Sequence, residues 1–383
     1  MKRNQEMKKR WLALKILIHL FNIFLISSYS EVYAVDNTIS TEENAPTVTE
    51  EEILLPKIGE NWIVPLSEDT TLEMIYIPPG TFEMGSPENE PGRSHTEKLH
   101  SVTLTKGYWL GKYEVTQKQW QAIMGNTFSA RWNCIGEDIP VHHIDWYYAN
   151  YFCKRLNERE IKACRLPRNY RYVLPTEAQW EYACRAGTKT ELNNGKDITA
   201  IYKAKFFGFG DALAFLGFEF GQGYWTDCPN LNEVAWWHNN SNGKVHPVGQ
   251  KKPNVWGLYD MHGNVAEWCA DRWEYYPSNK NSIDPISRPA NTNSLDDRLN
   301  DRILRGGCYD SITDCRQADR FHNIPSVGFE HMGFRVALVY FDTEKDIPTN
   351  SIQIQFADIA EKKKDNSTPL IQKEEKDIES VQK

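Results

Sequence analysis

The sequence contains no Cys-x-x-Cys pair and no Cys/His cluster at zinc-finger spacing, so its spacing predicts no structural zinc site. It has no Gly-x-Ser-x-Gly elbow, no P-loop and no His-Glu-x-x-His run, which removes the common serine-hydrolase, nucleotide-phosphate and metalloprotease readings. After residue 34 no apolar run is long enough to span a bilayer, and no repeat of solenoid length is present. Positive charge is in deficit: 44 Lys and Arg stand against 52 Asp and Glu, a net charge of −8. That balance argues against general nucleic-acid binding, which works by neutralising phosphates.

Aromatics are plentiful, with 13 Trp, 18 Tyr and 16 Phe among 383 residues, enough to build a large core. The first residues read as a secretory signal. Lys2, Arg3, Lys8, Lys9 and Arg10 precede an apolar stretch from Trp11 to Ile26, and Val32-Tyr33-Ala34 offers a cleavage site. An uncleaved anchor is the competing reading of that stretch. No cysteine follows it to carry a lipid, so the expected location is extracytoplasmic, periplasmic or secreted. Removing residues 1–34 takes away six basic and two acidic side chains and leaves the remainder at −12. All eight cysteines (134, 153, 164, 184, 228, 269, 308 and 315) lie in that remainder, where export permits disulfides.

The expected organisation is a signal peptide at 1–34, an acidic flexible leader at 35–60, one domain at 61–341 and a polar disordered tail at 342–383. Within the domain, Met74–Ile77 and Thr81–Met84 flank Pro78-Pro79-Gly80 and predict a hairpin, while Val102 and Leu104 alternate as in a strand. Thr116 with Gln119 forms a capping box for a helix that Gly125 ends, and Thr176 with Gln179 opens another that Gly187 closes. Asp145 caps a third, carrying Tyr148, Tyr151, Phe152 and Leu156. His142-His143 before that helix reads as a packing or hydrogen-bonding pair. The rest is rich in Gly, Asn and Pro, and must be held by buried aromatics, ions or disulfides.

Five segments, in order, resemble the formylglycine-generating (sulfatase-modifying) enzyme family. They are Ile77-Pro78-Pro79-Gly80-Thr81-Phe82-Glu83-Met84-Gly85-Ser86; Tyr113-Glu114-Val115-Thr116; Leu174-Pro175-Thr176-Glu177-Ala178-Gln179-Trp180-Glu181-Tyr182-Ala183-Cys184-Arg185-Ala186-Gly187; His246-Pro247-Val248-Gly249 through Asn254–Met261 to Gly263-Asn264-Val265-Ala266-Glu267-Trp268; and Leu304-Arg305-Gly306-Gly307 with Cys315-Arg316, Arg320 and Gly333-Phe334-Arg335-Val336. Chance does not preserve order over about residues 70–340. The resemblance implies an α+β fold related to the C-type lectin fold, with much irregular loop. Residues 193–225 do not match and read as a variable insertion. No His-x-x-x-His-x-Glu run like the iron set of the family's sulfoxide-synthase relatives is present.

The resemblance also implies site residues. Asp260 and Glu267 flank the Gly263-Asn264 turn, and their chemistry alone favours a helix cap with a buried salt bridge over a Ca²⁺ site using backbone carbonyls. Similarity to the family's structural calcium site assigns Asp260, Gly263, Val265 and Glu267 to Ca²⁺. A second family calcium site falls near 232–236, without named ligands. The family's oxidase members hold copper(I) on two cysteines separated by four residues after an Arg-Gly-Gly-Ser motif. Here Cys308 replaces the motif's serine, Ser311 falls where the first cysteine belongs, and the loop is too short to hold the second. Cys308, Ser311 and Cys315 are the only catalytic candidates. Two readings of Cys308 stand: a substitute Cu⁺ pair with Cys315, six residues on, in a different loop, or a buried, inert thiol, which is the preferred reading. Cys315 matches a structural cysteine, so a Cys184–Cys315 disulfide is expected. Cys153 lacks its partner because Val336 stands there. The expected function is a non-catalytic binding or accessory module for a protein, peptide or glycan partner, a sulfatase among them. The alternative is an oxidase that converts a sulfatase cysteine to formylglycine.

Overall fold

The computed structural model describes residues 60–126, 134–198, 202–203, 224–225, 228–276, 281–287, 300–311 and 314–342. The expected signal, the leader apart from Glu60, the tail beyond Asp342 and most of the 193–225 insertion lie outside the described residues. The strands among these described residues are β1 (Trp62–Pro65), β2 (Thr71–Ile77), β3 (Gly80–Met84), β4 (His100–Leu104), β5 (Tyr108–Gly111), β6 (Tyr170–Val173), β7 (Tyr202–Lys203), β8 (Tyr224–Trp225), β9 (Ala235–Trp236), β10 (His262–Gly263), β11 (Ala266–Arg272), β12 (Asn281–Ile283), β13 (Arg302–Arg305), β14 (Phe321–Asn323), β15 (Met332–Gly333) and β16 (Ala337–Tyr340). The helices are α1 (Gln117–Met124), α2 (Trp146–Lys162), α3 (Glu177–Arg185) and the single turn α4 (Pro229–Asn232).

The main sheet has the order β1-β2-β5-β16-β6, and all of its pairings are antiparallel. A second sheet runs β14-β13-β11-β15, and a third runs β12-β4-β3. Both strands of the expected hairpin exist, but they do not pair with each other. β2 bonds to β1 and β5, whereas β3 bonds to β4. Each proline lacks the N–H a tight ladder turn would use, so Pro78-Pro79 hands the chain from one sheet to another.

Both capping boxes form. Gln119 N–H donates to Thr116 Oγ1 (3.2 Å) and Thr116 N–H to Gln119 Oε1 (3.0 Å); the Thr176–Gln179 pair repeats this at 3.1 and 2.9 Å. Asp145 Oδ1 accepts from Tyr148 N–H at 2.8 Å, opening α2 as expected. Gly125 ends α1 with φ +75°. The left-handed turn after α3 begins one residue before the expected Gly187, at Ala186 (φ +45°).

One aromatic core gathers Trp120, Phe152, Trp268 and Phe334 between α1, α2 and the sheets; another gathers Tyr108, Trp180, Leu258 and Ile303 under α3. Irregular loops are fastened by buried guanidinium–carboxylate pairs. Arg185 and Arg305 share Glu181, Arg320 binds Glu177 through two nitrogens, and Arg316 reaches Glu90, Glu97 and Asp319. Among the described residues, no two cysteines are joined in a disulfide. Among the described residues, no helix is long and apolar enough to cross a membrane.

Candidate functional site

The candidate loop leaves the buried strand β13 through two glycines that must be glycine. Gly306 (φ +94°) lies against the Trp180 ring, and a side chain on Gly307 (φ +69°) would strike the Asp314 carbonyl and Cys315 Sγ. The next turn closes on itself. Cys308 N–H donates to Ser311 Oγ (2.9 Å), and Ser311 N–H returns to the Cys308 carbonyl (3.0 Å). Cys308 Sγ–H donates to Asp310 Oδ1 at 2.9 Å and lies 3.2 Å from Ser311 Oγ. Burial and the Asp310 carboxylate push the Cys308 thiol pKa up.

Cys315 is fully buried, and burial drives its thiol far above its ordinary range. Its carbonyl accepts from His262 Nδ1 (2.6 Å), while His262 Nε2 accepts from Asn193 N–H (3.1 Å). That pairing fixes a neutral imidazole, and burial draws its pKa down to about 4. The expected Cys184–Cys315 bridge is not formed. Cys184 Sγ faces the Met261 carbonyl (3.7 Å), His262 Nε2 and Gln317 Oε1 (both 4.0 Å), whereas Cys315 turns toward Gly307 and Ser311. Cys153 is likewise a buried free thiol.

The four residues assigned to calcium lie in one buried region around β10 and β11, joined by a carboxylate the sequence reading did not single out. Glu267 accepts from Arg335 Nε and Nη2, both at 2.6 Å, and from Trp180 Nε1 at 2.8 Å. Glu114 accepts from Asn264 Nδ2 (2.8 Å) and Val265 N–H (3.1 Å). Asp260 Oδ2 accepts from Gly249 N–H (2.7 Å), but the buried Oδ1 has no hydrogen-bond partner. Neither Glu114 nor Asp260 makes an ion pair among the described residues. Burial first, and then the neighbouring carboxylates, push Glu114 up and Asp260 up to about 6. Clustered carboxylates and an unpartnered carboxylate oxygen are the donor chemistry that suits a hard divalent cation. Glu267 is answered by Arg335 in a buried salt bridge, the alternative that its chemistry alone offered. Glu114 was visible in the Tyr113–Thr116 segment, but nothing in the local pattern shows that it faces Asp260.

His142 and His143 do pack together, with Nδ1 to Nδ1 at 2.7 Å. Beside them, the 308–311 turn meets the 329–331 segment, where Cys308, Asp310 and His331 converge. Asp310 and His331 were not predicted as site residues, since 21 positions separate them and no spacing motif joins them.

Comparison with known proteins agrees with this architecture. A Paenibacillus barcinonensis protein named chaperone protein LppX is 29% identical over 261 residues, 58% of this chain and 80% of its own length. The formylglycine-generating enzyme of Bos taurus is 29% identical over 212 residues, 54% of this chain and 46% of its own. That of Streptomyces coelicolor is 30% identical over 208 residues, 52% of each. The chain therefore spans about half the length of these enzymes. Among solved structures, Treponema denticola variable protein 1 superposes with TM-score 0.53 at 26% identity, covering 72% of this chain and 98% of its own. PvdO from Pseudomonas aeruginosa gives 0.51 at 24% identity, covering 74% and 99%, a likeness of fold alone. Residues 63–339 match the sulfatase-modifying factor enzyme 1-like domain, and the chain belongs to that family.

Proposed function

We propose that this protein is an extracytoplasmic, non-catalytic member of its family, acting as a binding or accessory module for a protein, peptide or glycan partner. The observation that carries this reading is the 308–315 loop. A hydroxyl, Ser311, stands where the first copper thiolate belongs, and Cys315 is sealed in the core. Copper(I) needs two soft donors at one accessible point, and one thiolate holds it poorly. The chaperone name of the Paenibacillus relative, matched along most of its length, supports an accessory role. The test is mass spectrometry of a Cys-x-Pro-x-Arg peptide incubated with copper-loaded protein. The expected result is no formylglycine product. Turnover that disappears in both Cys308→Ser and Cys315→Ser, with folding intact, would establish the oxidase instead.

Calcium at Asp260 belongs to the same proposal as a structural ion. Asp260 Oδ1 and Glu114 carry the uncompensated charge, Glu267 contributes to the field, and Gly263 and Val265 supply carbonyls. The ion would offset buried carboxylate repulsion and take no part in chemistry.

A further inference from the structure

Three side chains that no sequence spacing connects meet at one point: Cys308 Sγ, an Asp310 carboxylate oxygen and a His331 imidazole nitrogen all lie within 4.8 Å of one another. We infer that they form a binding site for a divalent transition metal of the zinc class, distinct from both the calcium cluster and the family's copper pair. The site goes beyond the accessory reading and stands independently of it.

The donor set selects the ion. One thiolate, one imidazole and one carboxylate suit Zn²⁺, which accepts sulfur, nitrogen and oxygen together; Ca²⁺ takes oxygen alone, and Cu⁺ prefers paired sulfurs. Tetrahedral zinc, with bonds of 2.0–2.3 Å, places neighbouring donors about 3.3–3.6 Å apart, so small rotations of Asp310 and His331 suffice. The charges also balance. In the metal-free site, the Cys308 thiol donates its proton to Asp310 Oδ1. On binding, that proton leaves to solvent, the Asp310 interaction with S–H is replaced by one with the metal, and thiolate and carboxylate together neutralise the dication. No oxidation state changes.

The surroundings hold the donors in register. Ser311 Oγ accepts Cys308 N–H, which leaves its own proton free to point at the sulfur 3.2 Å away. The Asn264 carbonyl accepts from Tyr309 N–H (2.9 Å), and Ala266 N–H donates to the His331 carbonyl (2.7 Å). Both donor-bearing segments therefore hang from one short stretch, 264–266, that leads from β10 into the first residue of β11. His143 borders the cluster in a left-handed backbone conformation (φ +62°). Burial, then His142 and His331, hold it neutral, with its pKa near 4. Asp310 is exposed, so an ion can enter from solvent, and three protein donors leave the fourth position to water.

The test is cobalt titration of the reduced full-length protein in buffer with excess Ca²⁺, followed by displacement with Zn²⁺. One Co²⁺ should bind, giving a thiolate-to-metal charge-transfer band that zinc abolishes. Cys308→Ser should remove the band, and the solvent-side variants Asp310→Asn and His331→Ala should each weaken binding at least tenfold. Cys164→Ser, which removes the exposed thiol, should leave both unchanged. The inference is overturned if no stoichiometric cobalt binds, if affinity survives in Asp310→Asn and His331→Ala, or if the band is lost with Cys164 instead. If Cys308→Ser does not fold, the two solvent-side variants decide.

Discussion

Glu181 shows what one side chain does when an irregular domain must be held from inside. Its carboxylate is fully buried and receives Arg185 through Nε (2.8 Å) and Nη2 (2.6 Å), the Gly85 N–H (2.9 Å), and Arg305. Removing its charge leaves two guanidiniums buried with too little compensation. Glu181→Gln should therefore destabilise by about 3–5 kcal/mol in chemical denaturation. Glu137 pairs with Lys118 at the surface at a similar distance (2.9 Å), yet water already solvates both groups. Glu137→Gln should leave the denaturation midpoint unmoved. Equal effects of the two substitutions would refute the claim that burial decides which pairs matter. Much at this scale was legible. Glu181, Glu267, Arg305, Arg316, Arg320 and Arg335 all fall in the segments that revealed the family, because buried charges need fixed partners. The thiol directions were not legible: whether Cys184 faces Cys315 or Met261 depends on side-chain packing that no spacing encodes.

Helix starts, whose signals are local, were readable, while the end of α3 falls one residue before the expected Gly187. The helix starts at Thr116, Asp145 and Thr176 follow from hydrogen bonds within four residues of each cap. Strand pairing is non-local, and there the reading failed: Met74–Ile77 and Thr81–Met84 were correct as strands but wrong as partners. The same distinction orders the consequences of losing a cap. Thr116→Ala frees the first turn of α1 and should cost about 1 kcal/mol. Thr176→Ala frees α3, which carries Glu177, Glu181 and Arg185 into the buried ionic network. Fraying there exposes charges to imperfect pairing, so its cost should reach about 2 kcal/mol, the upper end for a cap. Denaturant midpoints at an unchanged m-value measure both. A Thr176→Ala loss smaller than that of Thr116→Ala would show that α3 is held by its ion pairs without its cap.

The whole domain closes through its far end: β16 inserts between β5 and β6, and Arg335 just before it reaches back to Glu267. A chain with so many irregular connections needs fastening, and disulfides, ion pairs and bound ions leave different thermal signatures. A Cys184–Cys315 bridge would close a long loop, and its reduction would remove up to about 4–5 kcal/mol. With both thiols free, a reducing agent should leave the melting temperature where it is. A fall of several degrees would restore the bridge and overturn the thiol geometry around His262. Calcium predicts the opposite response. An ion held at one hundred times its dissociation constant stabilises the native state by about 2.7 kcal/mol, or roughly 5 °C for a domain of this size. A calcium-selective chelator should lower the melting temperature by that order, and added Ca²⁺ should restore it where Zn²⁺ does not. Asp260→Asn keeps a residue tolerant of the left-handed backbone (φ +53°) while removing the charge that the orphaned Oδ1 presents. It should abolish the response to chelator and to Ca²⁺ alike. Should the wild type ignore the chelator, Glu114 and Asp260 must share protons in place of an ion, and Arg335 is then the cation that this cluster was built around.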